Sequence, residues 1–218
     1  MRGLIIFGLT DAAELAHFHF RANGTHGIAA FCADGAYLKE SSFLGIPVLA
    51  VEEVASAFPP ATHDAFVAIG YSRLNRVRAT KCATMRVAGY QLASCISRQA
   101  IVAPDLVHGD NCFVMEGCVI QTGVRLGHHV TMWSGGMIAH HTTIGNDVFM
   151  APRVAIAGRT VIGNNCFIGI NATIRDSLRV GSDCVLSAGS VALHDLPDGT
   201  VLDAVSGRMH PIDASRIA

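Results

Sequence analysis

Residues 126–187, set in blocks of six, read LGHHVT MWSGGM IAHHTT IGNDVF MAPRVA IAGRTV IGNNCF IGINAT IRDSLR VGSDCV LS. Every block opens on an apolar residue: Leu126, Met132, Ile138, Ile144, Met150, Ile156, Ile162, Ile168, Ile174, Val180 and Leu186. The second position is usually small, as at Gly127, Ala139, Gly145, Ala151, Ala157, Gly163, Gly169, Gly181 and Ser187, and the fifth is often Val, Thr, Cys or Ala. A fixed six-residue period of this kind is the signature of a solenoid. Each block forms one wall of a triangular coil, the apolar residue fills the axis and the small residue permits the tight corner. Three blocks close one turn, so residues 18 apart stack.

Stacking turns spacing into geometry. Cys166 and Cys184 share a phase and form an inward ladder rather than a disulfide, while His140 lies below Gly158 and His141 below Arg159. The repeat extends back through Ile101, Val107, Phe113 and Val119. Because Ile120 rather than Val119 is in step with Leu126, an inserted residue is expected at a corner between them.

Before about residue 90 the period is different. Leu4-Ile5-Ile6-Phe7, Gly27 to Phe31, Val48 to Val51 and Ala65 to Ile69 read as buried strands, with helices from Asp11 to Ala22 and between Leu74 and Ala88. Strands alternating with helices predict a small parallel α/β unit. The expected organisation is therefore an α/β module over 1–95, a coil over 96–195 and a short C-terminal tail over 196–218.

Composition excludes several function classes. Half the residues are hydrophobic, enough for a sizeable core, and 16 Lys+Arg against 17 Asp+Glu leave a net charge of −1. No global field draws such a chain to nucleic acid or to an anionic membrane. No apolar run approaches the roughly 20 residues of a membrane helix, and no signal-peptide pattern opens the chain, so the expected compartment is the cytoplasm. Seven cysteines without a C-x-x-C pair read as small buried apolar residues.

Both modules in this order resemble the bacterial sugar acyltransferases of the sialic-acid O-acetyltransferase and bacillosamine N-acetyltransferase (NeuD/PglD) type. The resemblance rests on Leu4-Ile5-Ile6-Phe7-Gly8, Ala30-Phe31-Cys32-Ala33-Asp34, Leu44-Gly45-Ile46-Pro47-Val48 and Val67-Ala68-Ile69-Gly70 in the first module. In the second it rests on Ile138 to Gly145, on Ile156-Ala157-Gly158 and on Phe167-Ile168-Gly169-Ile170-Asn171. It implies a Rossmann-like nucleotide-sugar module ahead of a left-handed parallel β-helix, a homotrimer with active sites between neighbours, and an acyl-CoA, most simply acetyl-CoA, as co-substrate. No permanently bound cofactor and no metal are implied. The family's catalytic histidine falls at His140. The acidic residue that usually follows is His141 here, the usual preceding Glu is Ala139, a second histidine of some members is Phe149, and Asp203-Ala204-Val205-Ser206-Gly207-Arg208 stands in place of a Gly-x-Pro-Ala segment.

The chemistry asked of these residues is simple. Acyl transfer needs a base poised near neutral pH, the natural role of an imidazole, which points to His140. Gly158 reads either as a corner glycine or as a residue whose missing Cβ admits the thioester and whose N–H receives the oxyanion. His141 orients His140, contacts substrate or caps a corner, and Arg159 above it favours its neutral form. The donor is expected along Gly158, Arg159, Gly169, Asn171 and Gly189. The acceptor, a nucleotide-linked amino sugar, is expected at Gly8, Asp34, Gly70 and Arg73, where strand ends of α/β folds hold ligands. Trp133, the only tryptophan, is either a stacking surface for sugar or cofactor or a trimer contact.

Three rival functions remain open on sequence alone. One is O-acylation of a sugar such as a sialic acid. Another is a zinc hydratase built on His128, His129, His140 and His141. The last is a scaffold without catalysis.

Overall fold

The computed structural model describes residues 2–205; Ser206, Gly207 and Arg208 of the departing C-terminal segment, with the rest of the tail to 218, lie outside the described residues. Leu4, Ile5 and Ile6 have no polar atom beyond the backbone, and they form the buried central strand β1 (Gly3–Phe7). Helix α1 (Asp11–Asn23) follows, then β2 (Gly27–Ala33), a hairpin of β3 (Ser42–Phe43) and β4 (Ile46–Ala50), helix α2 (Val51–Ala57), β5 (His63–Val67) and helix α3 (Arg76–Val87). The sheet order is β3-β4-β2-β1-β5, parallel except where β3 pairs with β4. This is the expected Rossmann-like unit, with one difference. Val51 opens α2 instead of closing a strand. That seven-residue helix buries only Val51 and Val54, too few points to show a helical period in sequence.

From Cys95 onward the chain winds as a left-handed β-helix of three parallel walls. Wall one runs from Cys95–Ile96 to Val201–Leu202, wall two from Ile101–Val102 to Val191–Ala192 and wall three from Val107–His108 to Arg179–Val180. The expected insertion near residue 119 does not exist. Val119 pairs with both Ile101 and Met137, and Phe113 with Thr131, so the 18-residue register holds from the first coil. The inward series is Val102, His108, Val114, Ile120 and Leu126. Ile101, Val107, Phe113 and Val119 point outward, and their apolar character disguised the phase. His108, the one polar residue of the inward series, is tolerated because it is exposed at the open end of the coil.

The first unit covers wall one. Outward-facing Phe113, Thr131 and Phe149 are therefore buried, and Phe113 joins Leu4, Ile6 and Phe66 in a shared core. Polar side chains tie the two parts together. Asn111 accepts from the Val67 N–H at 2.7 Å and donates to the Val67 carbonyl at 3.1 Å, extending the end of β5 into the coil. Buried Arg78 donates to the carbonyls of Gly70 and His129, both at 3.1 Å, and burial lowers its pKa to about 10. A buried guanidinium held only by carbonyl oxygens is costly to disturb. The described cysteines are all free and buried, and burial pushes the Cys166 thiol up to about 12, so it is inert.

The register makes a stability prediction. Ile120→Ala should cost about 2–5 kcal/mol because Ile120 fills the axis, whereas Val107→Ala, on the exposed face of wall three, should stay within about 0.5 kcal/mol in urea unfolding. The reverse order would restore the shifted register.

Candidate active site

Each coil has three corners, and the one joining walls two and three carries His140 and His141. Its backbone is set by the repeat. The His141 N–H donates to the Thr122 carbonyl at 3.0 Å, and the His140 carbonyl accepts from Arg159 N–H at 2.9 Å. His141 takes a left-handed conformation, φ 58°, as do Arg159 and Ser177 at the same position in the coils above. The two imidazoles meet edge to face at 78°, with their Nδ1 atoms 3.1 Å apart.

Gly158 decides between two roles for its corner. Its φ is not in the left-handed region, and Thr122, His140 and Asp176 occupy the same position in other coils, so the backbone does not require a glycine there. What requires it is the His140 ring: a Cβ on residue 158 would lie 2.6 Å from Cε1 and 2.8 Å from Nε2 of that imidazole. The glycine is therefore room for the His140 ring.

A second consequence follows from Ala139. One coil lower, Gln121 Oε1 accepts the His140 N–H at 2.9 Å. Residue 139 stacks on Gln121 but has no such oxygen, and among the described residues nothing accepts the Gly158 N–H. An unused donor thus lies beside the imidazole. Ile101, Val119, Gln121, His140, His141 and Arg159 line an open groove of about 640 Å³ along wall two and this corner.

The remaining residues singled out in the sequence fall into separate places. Gly8, Asp34, Gly70 and Arg73 line one cavity of about 1080 Å³ at the carboxyl ends of β1, β2 and β5. Gly8 has φ 132°, and a Cβ there would meet the Ala68 carbonyl oxygen at 2.6 Å, so it is first a packing requirement. Asp34 pairs at 2.6 Å with Lys81, which also lies over the Phe7 ring. Sequence reading missed Lys81; a pairing across 47 residues leaves no local signal. Arg73, Leu74 and Asn75 are three consecutive left-handed residues, a strained turn held by buried Asn75, whose amide donates to the Cys166 carbonyl at 3.0 Å.

Trp133 is half-buried in the seam between the two units, 5.9 Å from Phe149 in an aromatic row that reaches Phe167 and Tyr71. Gly169, Asn171 and Gly189 occupy the corner between walls one and two, a different edge of the prism from His140. Gly169 is confined there by the next coil, since a Cβ would meet the Ala188 nitrogen at 2.6 Å. His128 and His129 belong to the third corner, where Asp110 and Asp147 hold them at 2.6 and 2.8 Å.

Residues 159–193 match the family model of the bacterial transferase hexapeptide (six repeats). Among solved structures, the acetyltransferase domain of PglB from Neisseria gonorrhoeae in complex with acetyl coenzyme A is 27% identical with a TM-score of 0.83, covering 92% of this chain and 95% of that one. PerB from Caulobacter crescentus, in complex with CoA and GDP-perosamine, is 27% identical with a TM-score of 0.82 over 91% and 92% of the two chains. The chain carries hexapeptide repeats and is an acyltransferase. WeeI from Acinetobacter baumannii, 20% identical with a TM-score of 0.82 over 91% and 94%, shares the fold of this acyltransferase. No curated protein sequence matches the acyltransferase.

Gly158→Ala tests the geometry directly. The added methyl group should displace the His140 ring and lower turnover by roughly tenfold or more, with little change in thermal stability, as misplacement of a catalytic group by about 1 Å does elsewhere. Steady-state rates and the melting temperature, measured on the same preparation, check both halves of the expectation.

Proposed function

We propose that this acyltransferase moves an acetyl group from coenzyme A to the amine of a nucleotide-linked amino-deoxy sugar, with His140 as general base. The observation that carries the reading is the corner at His140, where an exposed imidazole fits under a glycine whose N–H is unused. As the amine attacks the thioester carbonyl, His140 Nε2 takes the amine proton and the Gly158 N–H donates to the oxyanion. Collapse of the tetrahedral intermediate expels the thiolate, which recovers the proton from His140. No covalent acyl-enzyme is needed, in keeping with cysteines that are all buried.

In this reading the groove at His140 and Arg159 takes the donor, and the cavity at Gly8, Asp34, Gly70 and Arg73 takes the nucleotide. The first unit, 1–95, serves the acceptor and the coil, 96–195, the donor. Solved relatives support both ligand classes: PglB is described with acetyl coenzyme A, PerB with CoA and GDP-perosamine. The donor and the sugar nucleotide suit the cytoplasm, and no helix of the described residues is long and apolar enough to cross a membrane.

Geometry also favours a homotrimer. The nucleotide cavity belongs to the unit that covers wall one, while His140 stands on the corner opposite that wall. One protomer keeps acceptor and base on opposite sides, so a neighbour's cavity must face its His140. Outward Ile101, Met137 and Val191 leave wall two partly apolar and exposed, as a subunit contact requires. Gly169, Asn171 and Gly189, on the other edge of wall two, then border the same intersubunit groove. Light scattering at micromolar concentration should give three times the chain mass; a monomer would remove the basis for a shared site.

His140→Ala should reduce turnover by roughly 10²- to 10⁴-fold, the usual worth of a general base, and leave the affinity for coenzyme A nearly unchanged. The wild-type rate should fall on acidification as the imidazole is protonated, and the variant should lack that limb. Asp34→Ala should raise KM for the sugar nucleotide and not for the acyl donor. A panel of sugar nucleotides with acetyl-CoA, followed by thiol release, identifies the acceptor. Activity confined to free hydroxylated sugars would turn the reading to O-acylation, and turnover that survives His140→Ala but not His141→Ala would make His141 the base.

A further inference from the structure

The cavity at the strand ends holds one charged pair that the packing of the α/β unit does not call for. Asp34 stands at the N-cap of the short 3₁₀ turn Gly35–Tyr37, where an aspartate ordinarily bonds the N–H groups of its own turn, and its side chain makes no such bond. It turns into the cavity instead, and Oδ1 accepts from Lys81 Nζ at 2.6 Å. Lys81 is equally out of place in its own element. On α3 the residues Arg78, Cys82 and Met85 form the buried stripe, and residue 81 lies within it, one turn from Val77 and from Met85. Packing alone would put an apolar residue there. The lysine is held over the face of Phe7, Nζ lying 5.6 Å from the ring centroid. The side chains of Lys81 and Asp34 are 21% and 30% exposed, and both line the cavity.

What the pair leaves unused defines what it can bind. Among the described residues no donor reaches Asp34 Oδ2, and Lys81 Nζ makes no second hydrogen bond. A free carboxylate oxygen and a free ammonium N–H therefore lie side by side at the carboxyl end of β2. A lone hydroxyl would satisfy one of them. Two adjacent hydroxyls satisfy both, one donating to Oδ2 and the other accepting from Nζ. A phosphate is repelled by Asp34, whereas the exposed Arg73 and Lys39 of the same cavity form no ion pair among the described residues and are free to meet a diphosphate.

We infer that Lys81 and Asp34 clamp the vicinal 2′- and 3′-hydroxyls of a ribose, and that Lys81 is the residue by which the enzyme selects ribonucleotide-linked over deoxyribonucleotide-linked sugars. The inference rests on the cavity being the nucleotide site, as proposed above. Acids at this strand end commonly accept from ribose hydroxyls. Here the lysine takes one oxygen of the acid and supplies a donor in its place, so each hydroxyl has a separate partner. A ligand without one hydroxyl leaves the carboxylate oxygen or the ammonium unpaired in a half-buried place. A site built to hydrogen-bond a hydroxyl rejects the analogue that lacks it.

The test is calorimetric binding of UDP, GDP, CDP and ADP, each beside its 2′-deoxy and 3′-deoxy counterpart, so that every comparison is made at constant base and charge. For the base that binds best, removal of either hydroxyl should weaken binding to wild type by roughly ten- to a hundredfold. Lys81→Met keeps the stem over Phe7 and removes the ammonium. In that variant the penalty for one hydroxyl should vanish while the penalty for the other persists, and Lys81→Arg should restore part of what is lost. Each ratio is taken within one preparation, so a change in the stability of a variant does not enter it. Equal affinity of wild type for ribo and deoxy forms, or penalties unchanged in Lys81→Met, would overturn the clamp with the nucleotide reading intact, leaving Lys81 a tie between α3 and β2. Discrimination among bases that Lys81→Met abolishes, without an effect of either hydroxyl, would also overturn it and move the pair to a base edge. If none of the four diphosphates binds, the nucleotide reading fails and the clamp with it.

Discussion

Everything in the coil depends on one hydrogen-bonding rule: each wall peptide donates to the peptide one turn, 18 residues, further on. Gly127 donates to Ile144, Gly145 to Ile162 and Gly163 to Val180, each at 2.8 Å. Because the ladder closes between turns and not within them, side chains stand in columns, and the environment of each is set by the residues above and below. The polar column Asn146, Asn164, Ser182 and Asp198 shows the rule at its plainest, each side-chain oxygen accepting a backbone N–H of the turn beneath it. The column of His140 obeys the same rule, since a glycine above makes the space that the ring occupies.

The α/β unit is fastened to this scaffold rather than tethered to it. Asn111, Arg78 and Asn75 each use a buried side chain to satisfy backbone groups across the seam, so breaking any one of them would orphan polar atoms away from water. Arg78 holds the Gly70 carbonyl and so places one lip of the cavity at the strand ends relative to the coil. The strained turn at Arg73, Leu74 and Asn75 is held by the same device. Cavity and coil are thereby joined through buried polar groups rather than by the chain alone.

The repeat, the strand-helix alternation and the His140–Gly158 stack were legible because each is periodic or lies within one period of its partner. What stayed hidden was non-local or disguised. The outward Phe113 is apolar because the first unit covers it, and inward His108 is polar because the coil is open beneath it; together they mimic a one-residue slip. That apparent slip also concealed the place of Asp105. In the shifted register it would stack under Val124 rather than under Gly123. Lys81 reaches Asp34 through tertiary packing alone, and α2 is too short to display a period.

Two departures that flank His140, Ala139 and His141, thus acquire opposite explanations. Ala139 subtracts: without a side-chain oxygen at that position nothing accepts the Gly158 N–H among the described residues, whereas Gln121 accepts the equivalent N–H one coil lower. His141 substitutes: it sets an imidazole Nδ1 3.1 Å from His140 Nδ1 where the resembling family sets a carboxylate. The arrangement needs the left-handed corner that sends His141 down toward Gly123 while His140 rises beneath Gly158, and that corner is a property of the repeat itself.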